Sequence, residues 1–308
     1  MEAYQIQVTP SLLHNNLISS GRSLAYVSNV KPNPQIVLIS AESLTSGRLQ
    51  TSQVKYKSEE EILSLNYINL RGQYYLILGF YQSLQIWNEE GSRMLGHISK
   101  DDIISADSET YFIGSCTIDS LQSIAIGCSK GCISIISDNA EQQFSIRSTY
   151  FSRVQEPIAC ICAHESKILA FHENGKGSFF DLGRNGEVKV VDGPNVTATV
   201  STVVKKYGIV AFGSGEVRVY NMRDESLLTV VWAHTRWITG ICRHDSRPIF
   251  VTCSEDCTYS AWALRNRKVE MVCSKDLPHT LLTGVCFVGE RVMLVGYDKP
   301  KLMAETLV

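Results

Sequence analysis

Three side chains in the C-terminal third of the chain are of types that could do chemistry. His234, Thr252 and Asp256 supply an imidazole, a hydroxyl and a carboxylate. Such a set can act as a relay in which the hydroxyl attacks, the imidazole takes its proton and the carboxylate fixes the imidazole tautomer. Trp262 follows Asp256 by six residues in the stretch SEDCTYSAW, 254–262. A threonine nucleophile also needs an oxyanion hole and a substrate cleft, and nothing around these residues signals either. A second chemical reading is zinc held by Cys160, Cys162 and His164 in PIACICAH, but no fourth ligand stands at a recognisable spacing. The expectation is therefore no catalytic residue, no metal site and no cofactor-binding residue.

The whole chain narrows the choice further. It has 308 residues, 44% of them hydrophobic, and a formal net charge of −2. Without a basic excess, no nucleic-acid partner is expected. The cluster RNRK (265–268), with Arg243, His244 and Arg247, reads as solvated loop. No apolar run reaches the roughly 20 residues that span a bilayer, so no membrane insertion is expected. MEAYQIQVTP does not read as a signal peptide. The ten cysteines include no CxxC pair, and Cys160, Cys162 and Cys242 read as small buried side chains in strands. They are expected to be reduced thiols in a cytoplasmic protein.

A repeat organises the sequence. A short apolar run recurs as RSLAYVS at 22, YYLILGF at 74, QSIAIGC at 122, SKILAFH at 166, YGIVAFG at 207, RPIFVTC at 247 and ERVMLVG at 290. These runs are too short for helices and rich in β-formers, so they read as buried strands. Most are followed by a turn and an alternating strand that ends on a large residue: Trp87, Ile136, Phe180, Tyr220 and Trp262. A strand-like stretch precedes each pair, and a more polar one follows it. Four strands per 40 to 50 residues, repeated seven times, predict an all-β, seven-bladed β-propeller spanning residues 1–308 as a single domain. The last unit ends with three strands, and EAYQIQV has no partner in the first. The N-terminal strand, over residues 4 to 8, is therefore expected to complete the last blade and close the ring.

Residues 232–264 then resemble a WD40 repeat. His234, Thr252, Asp256 and Trp262 fall at the places where that family carries a structural tetrad. The resemblance implies a buried hydrogen-bond network rather than a catalytic relay. Its logic is that a buried indole N–H needs a partner. The other units depart from the pattern: Tyr81, Lys130 and Asn174 stand where the aspartate would be. Those blades are expected to rest on apolar packing and turns alone. A generic repeat profile should find only one or two of the units.

The family resemblance implies a non-enzymatic scaffold or adaptor whose partners are other proteins or peptides. Arg236 and Trp237 follow the tetrad histidine into the innermost strand and are the candidate partner-binding residues, arginine and tryptophan being favoured hot spots. Two alternatives stand beside this. One is a reader of modified peptides, for which Trp237 and Tyr111 could contribute to an aromatic cage at the channel mouth. The other is a propeller hydrolase, which would need carboxylates or arginines facing the axis. SEEE (58–61), at the equivalent entry to the second blade, reads as a solvated loop that could place acid on the same face as Trp237.

Overall fold

Every apolar run becomes the second strand of a four-stranded antiparallel sheet in a computed structural model of the chain. The structure describes residues 1–31, 34–46, 48–54, 56, 60–103, 111–139 and 143–307. Among these residues there are seven such sheets. The first blade holds Ile18–Ser19, Ser23–Ser28, Gln35–Ser40 and Thr51–Gln53. Blade 2 runs from Ser64–Leu70 to Met94–Ser99, blade 3 from Phe112–Ile118 to Phe144–Phe151, and blade 4 from Ile158–His164 to Gly186–Val191. Blade 5 runs from Ala198–Val204 to Ser226–Trp232, and blade 6 from Ile238–Arg243 to Lys268–Asp276. Blade 7 comprises Leu282–Val288, Arg291–Gly296, Lys301–Thr306 and, as its outer strand, Glu2–Gln5. The longest helical segment among the described residues is the four-residue turn Ser43–Ser46.

The inner strands meet in sequence around an axis, and that of blade 7 returns to that of blade 1. Burial falls from the middle of each blade to its rim. The second strand of blade 3 is buried throughout, whereas the outer strand of blade 6 is almost wholly exposed. The core is divided accordingly into seven apolar clusters, one at each interface between neighbouring blades. A buried leucine or isoleucine in one of these contributes about 1.5–3 kcal/mol. Each second strand lies between two such clusters, which is why its sequence is apolar on both faces.

The large residues that close the third strands have a common cause. In blades 2 to 6 the pairing with the outer strand slips at Trp87, Ile136, Phe180, Tyr220 and Trp262. An extra residue on the partner strand opposes the ladder there, bending the sheet around the bulky side chain.

The ring closes through Glu2–Gln5, which pairs with 301–304, Glu2 opposite Ala304 and Gln5 opposite Lys301. The strand thus begins earlier than the expected 4 to 8, because Ile6 turns inward and is buried between blades 7 and 1. The next segment does something the sequence did not suggest. HNNL (14–17) leaves blade 1 and laps over blades 6 and 7. The Asn15 backbone N–H donates to the Thr239 carbonyl at 2.6 Å, and that of Asn16 to the Thr283 carbonyl at 2.8 Å. Blade 1 therefore keeps only two paired residues in its inner strand.

Candidate functional site

Blade 6 assembles its four polar side chains in a line. The Trp262 indole N–H donates to Thr252 Oγ1 at 3.0 Å. Thr252 Oγ1 lies 2.9 Å from His234 Nε2, and His234 Nδ1 lies 3.1 Å from Asp256 Oδ2. One proton arrangement satisfies all three contacts: Trp262 donates to Thr252, the threonine hydroxyl to Nε2, and Nδ1–H to the carboxylate. Asp256 also accepts from the Thr235 backbone at 2.9 Å and from the Thr258 backbone and hydroxyl at 3.0 and 2.7 Å. The elements explain the convergence. Thr252 and Trp262 lie on the adjacent second and third strands, Asp256 sits in the tight turn between them, and His234 enters from the loop before the innermost strand.

The threonine–histidine–aspartate geometry is that of a relay, but it is sealed. Thr252 is 0% exposed. Burial disfavours the charge on Asp256, yet the hydrogen bonds from His234, Thr258 and the Thr235 backbone outweigh it and hold the carboxyl well below its usual range. A hydroxyl that touches no solvent has no substrate to attack. What the arrangement does chemically is to pair four polar groups inside an apolar sheet.

Arg236 and Trp237 immediately precede the inner strand of blade 6. Trp237 is 39% exposed, and its ring stacks on His14 with centroids 5.8 Å apart and planes 27° from parallel. On blade 5 it presses on Gly213, where a Cβ would come within 2.9 Å of the indole. The residue thus combines an inter-blade contact with partial exposure. Arg236 is exposed and reaches Glu255 at 3.4 Å. Tyr111 is elsewhere, on blade 3. Its ring meets Tyr81 edge-on with centroids 6.4 Å apart, and its hydroxyl donates to Glu173 at 3.0 Å. Trp237 and Tyr111 therefore belong to separate aromatic pairs rather than one cage. Of SEEE, positions 58 and 59 lie outside the described residues.

Several features escaped the sequence reading. The most exposed tryptophan is Trp232, at 72%, on the outer strand of blade 5. The axial channel, about 540 Å³, is lined at one end by Arg71, Arg243, Asp119 and Asp245. These come from strand ends and turns of blades 2, 3 and 6, so no single motif marks them. Blade 4 does not rest on apolar packing alone. There buried His172 places Nε2 3.2 Å from both Ser152 Oγ and Ser178 Oγ, and the Ser152 hydroxyl donates to Glu187 at 2.9 Å. Burial lowers the His172 pKa. The carboxylate joins the serine, while Nδ1 faces the Glu156 carbonyl at 2.8 Å, so this set has no relay geometry. Trp87 in blade 2 finds its own acceptor, Gln85 Oε1 at 3.1 Å. Cys160 and Cys162 share one apolar cluster, where burial pushes the Cys160 thiol up to about 12 and raises Cys162 well above its usual value. Among the described residues no group of three or more His, Cys, Asp or Glu could hold a metal ion.

Comparison with solved structures places the architecture. The RRP9 WD40 repeats superpose with a TM-score of 0.77 at 14% identity, covering 99% of this chain and 98% of that one. The fold is that of a WD40 β-propeller. The WD40 propeller domain of Doa1 matches with a TM-score of 0.71 at 13% identity, over 98% of this chain and 96% of that one. A chain of the mitotic checkpoint complex matches with a TM-score of 0.77 at 10% identity, over 100% and 95%. No family model matches the chain, and no curated protein matches its sequence. The WD40 fold is thus carried by a sequence in which one unit keeps the tetrad, and even the one or two detectable repeats expected of it go unmatched. No helix among the described residues is long and apolar enough to cross a membrane.

Proposed function

We propose that residues 1–308 constitute one propeller domain that serves as a non-enzymatic scaffold or adaptor for other proteins or peptides, in the cytoplasm and without a cofactor. The observation that carries this reading is the part-exposed Trp237 ring, stacked on His14 beside exposed Arg236 at the entry to the inner strand of blade 6. A rigid ring holds these side chains at fixed positions, and indole with guanidinium can bury area and direct hydrogen bonds together. The tetrad, with its threonine sealed, belongs in this reading to the frame rather than to a reaction, which also disfavours a propeller hydrolase. The order of weak blades and one strong blade, with HNNL, GEVRVYN, AHTRWITGIC and VGYD, resembles WD repeat-containing protein 54. That resemblance implies the same scaffold role.

The test is a melt and a pull-down on Trp237→Ala. Partner capture is expected to weaken by at least about 2 kcal/mol, with a modest loss of fold stability. If the variant melts early while its folded fraction captures every partner, Trp237 is an inter-blade wedge and the binding surface lies elsewhere. A second reading, recognition of a modified peptide, is favoured by Tyr81, Tyr111 and Glu173. Tyr81 is 50% exposed, and two perpendicular rings beside a carboxylate suit a methylated ammonium group. Equal binding of trimethyl-lysine and unmodified peptides would sink it.

A further inference from the structure

At the end of the propeller opposite Trp237, turns of blades 4, 5 and 6 enclose a cleft of about 440 Å³. Its floor is apolar, formed by Tyr207 and Leu264, both nearly buried. Its walls are cationic: Lys205, Lys206, Arg223 and Arg267. His164 also lines it, with a solvent-shielded Nε2 that makes no hydrogen bond and stands 3.6 Å from Glu165. Arg223 is partly neutralised by Glu165 at 3.4 Å. Lys205, Lys206 and Arg267 take part in no ion pair within 4.0 Å among the described residues. Asp224 attracts Arg267 from a greater distance. The Lys206 ammonium lies over the Tyr207 ring, 5.6 Å from its centroid. In a chain with a net charge of −2, three unpaired cations around one concavity are a local excess.

The backbone adds an independent observation. Arg267 closes the two-residue turn between Arg265 and Lys268 at φ 65°, after Asn266 at φ 49°. The second place of such a turn favours glycine. Lys205 opens the two-residue turn between Val204 and Tyr207, which joins the first and second strands of blade 5, at φ 56°. Such positions are not reserved for cations, since Glu165 takes φ 55° in the turn of blade 4 that matches that of Lys205, but at both places here the side chain is a long cation lining the cleft, where glycine would relieve the backbone.

We propose that this cleft binds a phosphoryl group carried on a side chain of a protein partner. Several cations converging on one small cavity suit a compact dianion with several acceptor oxygens. The charge does not extend over the whole end of the propeller: Asp119, Glu165, Asp224, Glu225, Asp245 and Glu290 lie among the turns there. A polyanionic strand or an acidic membrane would meet these carboxylates, whereas a single phosphoryl group meets only the cleft. The proposal rests on the scaffold reading but uses the opposite face, so the two fail separately.

The decisive experiment is fluorescence anisotropy of the full chain. The probes are a degenerate phosphoserine and phosphothreonine peptide library, its unphosphorylated twin, and vesicles containing phosphatidylinositol phosphates. Phosphopeptides are expected to bind at least about tenfold more tightly than the twin, an advantage that falls with added salt. Arg267→Gly removes the charge while relieving the turn, so it should fold at least as well as the parent and lose about tenfold in phosphopeptide affinity. Lys205→Gly should act likewise, and Trp237→Ala should leave this binding unchanged. Equal binding of the two libraries overturns the proposal. So does phosphopeptide binding that survives Arg267→Gly and Lys205→Gly. Binding to vesicles but not peptides overturns it in favour of a lipid headgroup.

Discussion

At the scale of single residues, a relay and a structural network can share the same geometry. His234, Thr252 and Asp256 stand at the distances a catalytic triad requires, and what separates the cases is the environment of the hydroxyl. Here Trp262 donates to it and no solvent reaches it. Removing the carboxylate should therefore be read as a loss of stability. Asp256→Ala leaves the His234 ring and the Thr235 and Thr258 donors without their acceptor, and is expected to cost about 1–3 kcal/mol in chemical denaturation. Loss of a turnover at unchanged stability would speak for the catalytic reading instead. The pH dependence has a definite sign. The folded-state pKa of Asp256 lies below its unfolded value of about 3.9. Its contribution is therefore present above about pH 4 and is lost as pH falls toward the folded pKa. The stability gap between the parent and Asp256→Asn should be widest at neutral pH and close progressively below about pH 4.

At the scale of elements, legibility followed the number of faces a strand buries. The second strands were plain because both faces meet a neighbouring blade, which leaves a run of apolar residues without alternation. The large residues at 87, 136, 180, 220 and 262 were visible too, though not their reason, since a slip in pairing leaves no mark on the bulged strand's own sequence. Two things were hidden. The blade 4 network joins His172, Ser178, Ser152 and Glu187 across three strands, so its members share no fixed spacing along the chain. The HNNL segment reads as a polar loop, yet each residue has a separate task. His14 stacks on Trp237, Asn15 bonds to blade 6, and Leu17 fills the space beside Gly284. Asn16, 0% exposed, donates to the Ser11 and Val27 carbonyls at 2.8 and 2.9 Å and accepts from the Val27 backbone at 2.7 Å. Asn16→Ala should strand the buried Val27 N–H and remove two further hydrogen bonds from carbonyls that keep the Leu13 and Ser11 N–H groups, and cost about 1–3 kcal/mol. Asn16→Asp should also destabilise, because a carboxylate cannot donate to the two carbonyls. A denaturation midpoint unchanged in both variants would show that the segment is held by its backbone bonds, the His14 stack and Leu17 without help from the Asn16 side chain.

At the scale of the molecule, the ring has one seam. Six inter-blade interfaces join blades that are continuous in the chain, whereas blade 7 is built from both ends. The seam is held by four kinds of contact. Four residues of Glu2–Gln5 pair with the strand at 301–304. Arg291 reaches both Glu2 and the Tyr4 hydroxyl, and Ile6 enters the cluster between blades 7 and 1. Val8 adds a fourth tie, accepting from the Tyr26 hydroxyl at 2.7 Å. Deleting residues 1–8 removes all of them and uncovers the edge of a strand whose Leu302 and Ala304 are almost fully buried. Ile6 alone represents about 1.5–3 kcal/mol of burial, and the ladder and hydroxyl bonds add about 1 kcal/mol each. The deletion should therefore lower the melting temperature by at least about 10 °C. It should also make the protein prone to associate through the bared edge. Scanning calorimetry with light scattering on the truncated chain checks both. The effect should be far larger than that of trimming an equal length from the exposed strand Lys268–Asp276 of blade 6, whose loss opens no seam. Equal effects of the two truncations would mean that the ring is closed by the contact between the inner strands of blades 7 and 1, and that the N-terminal strand is only a cover.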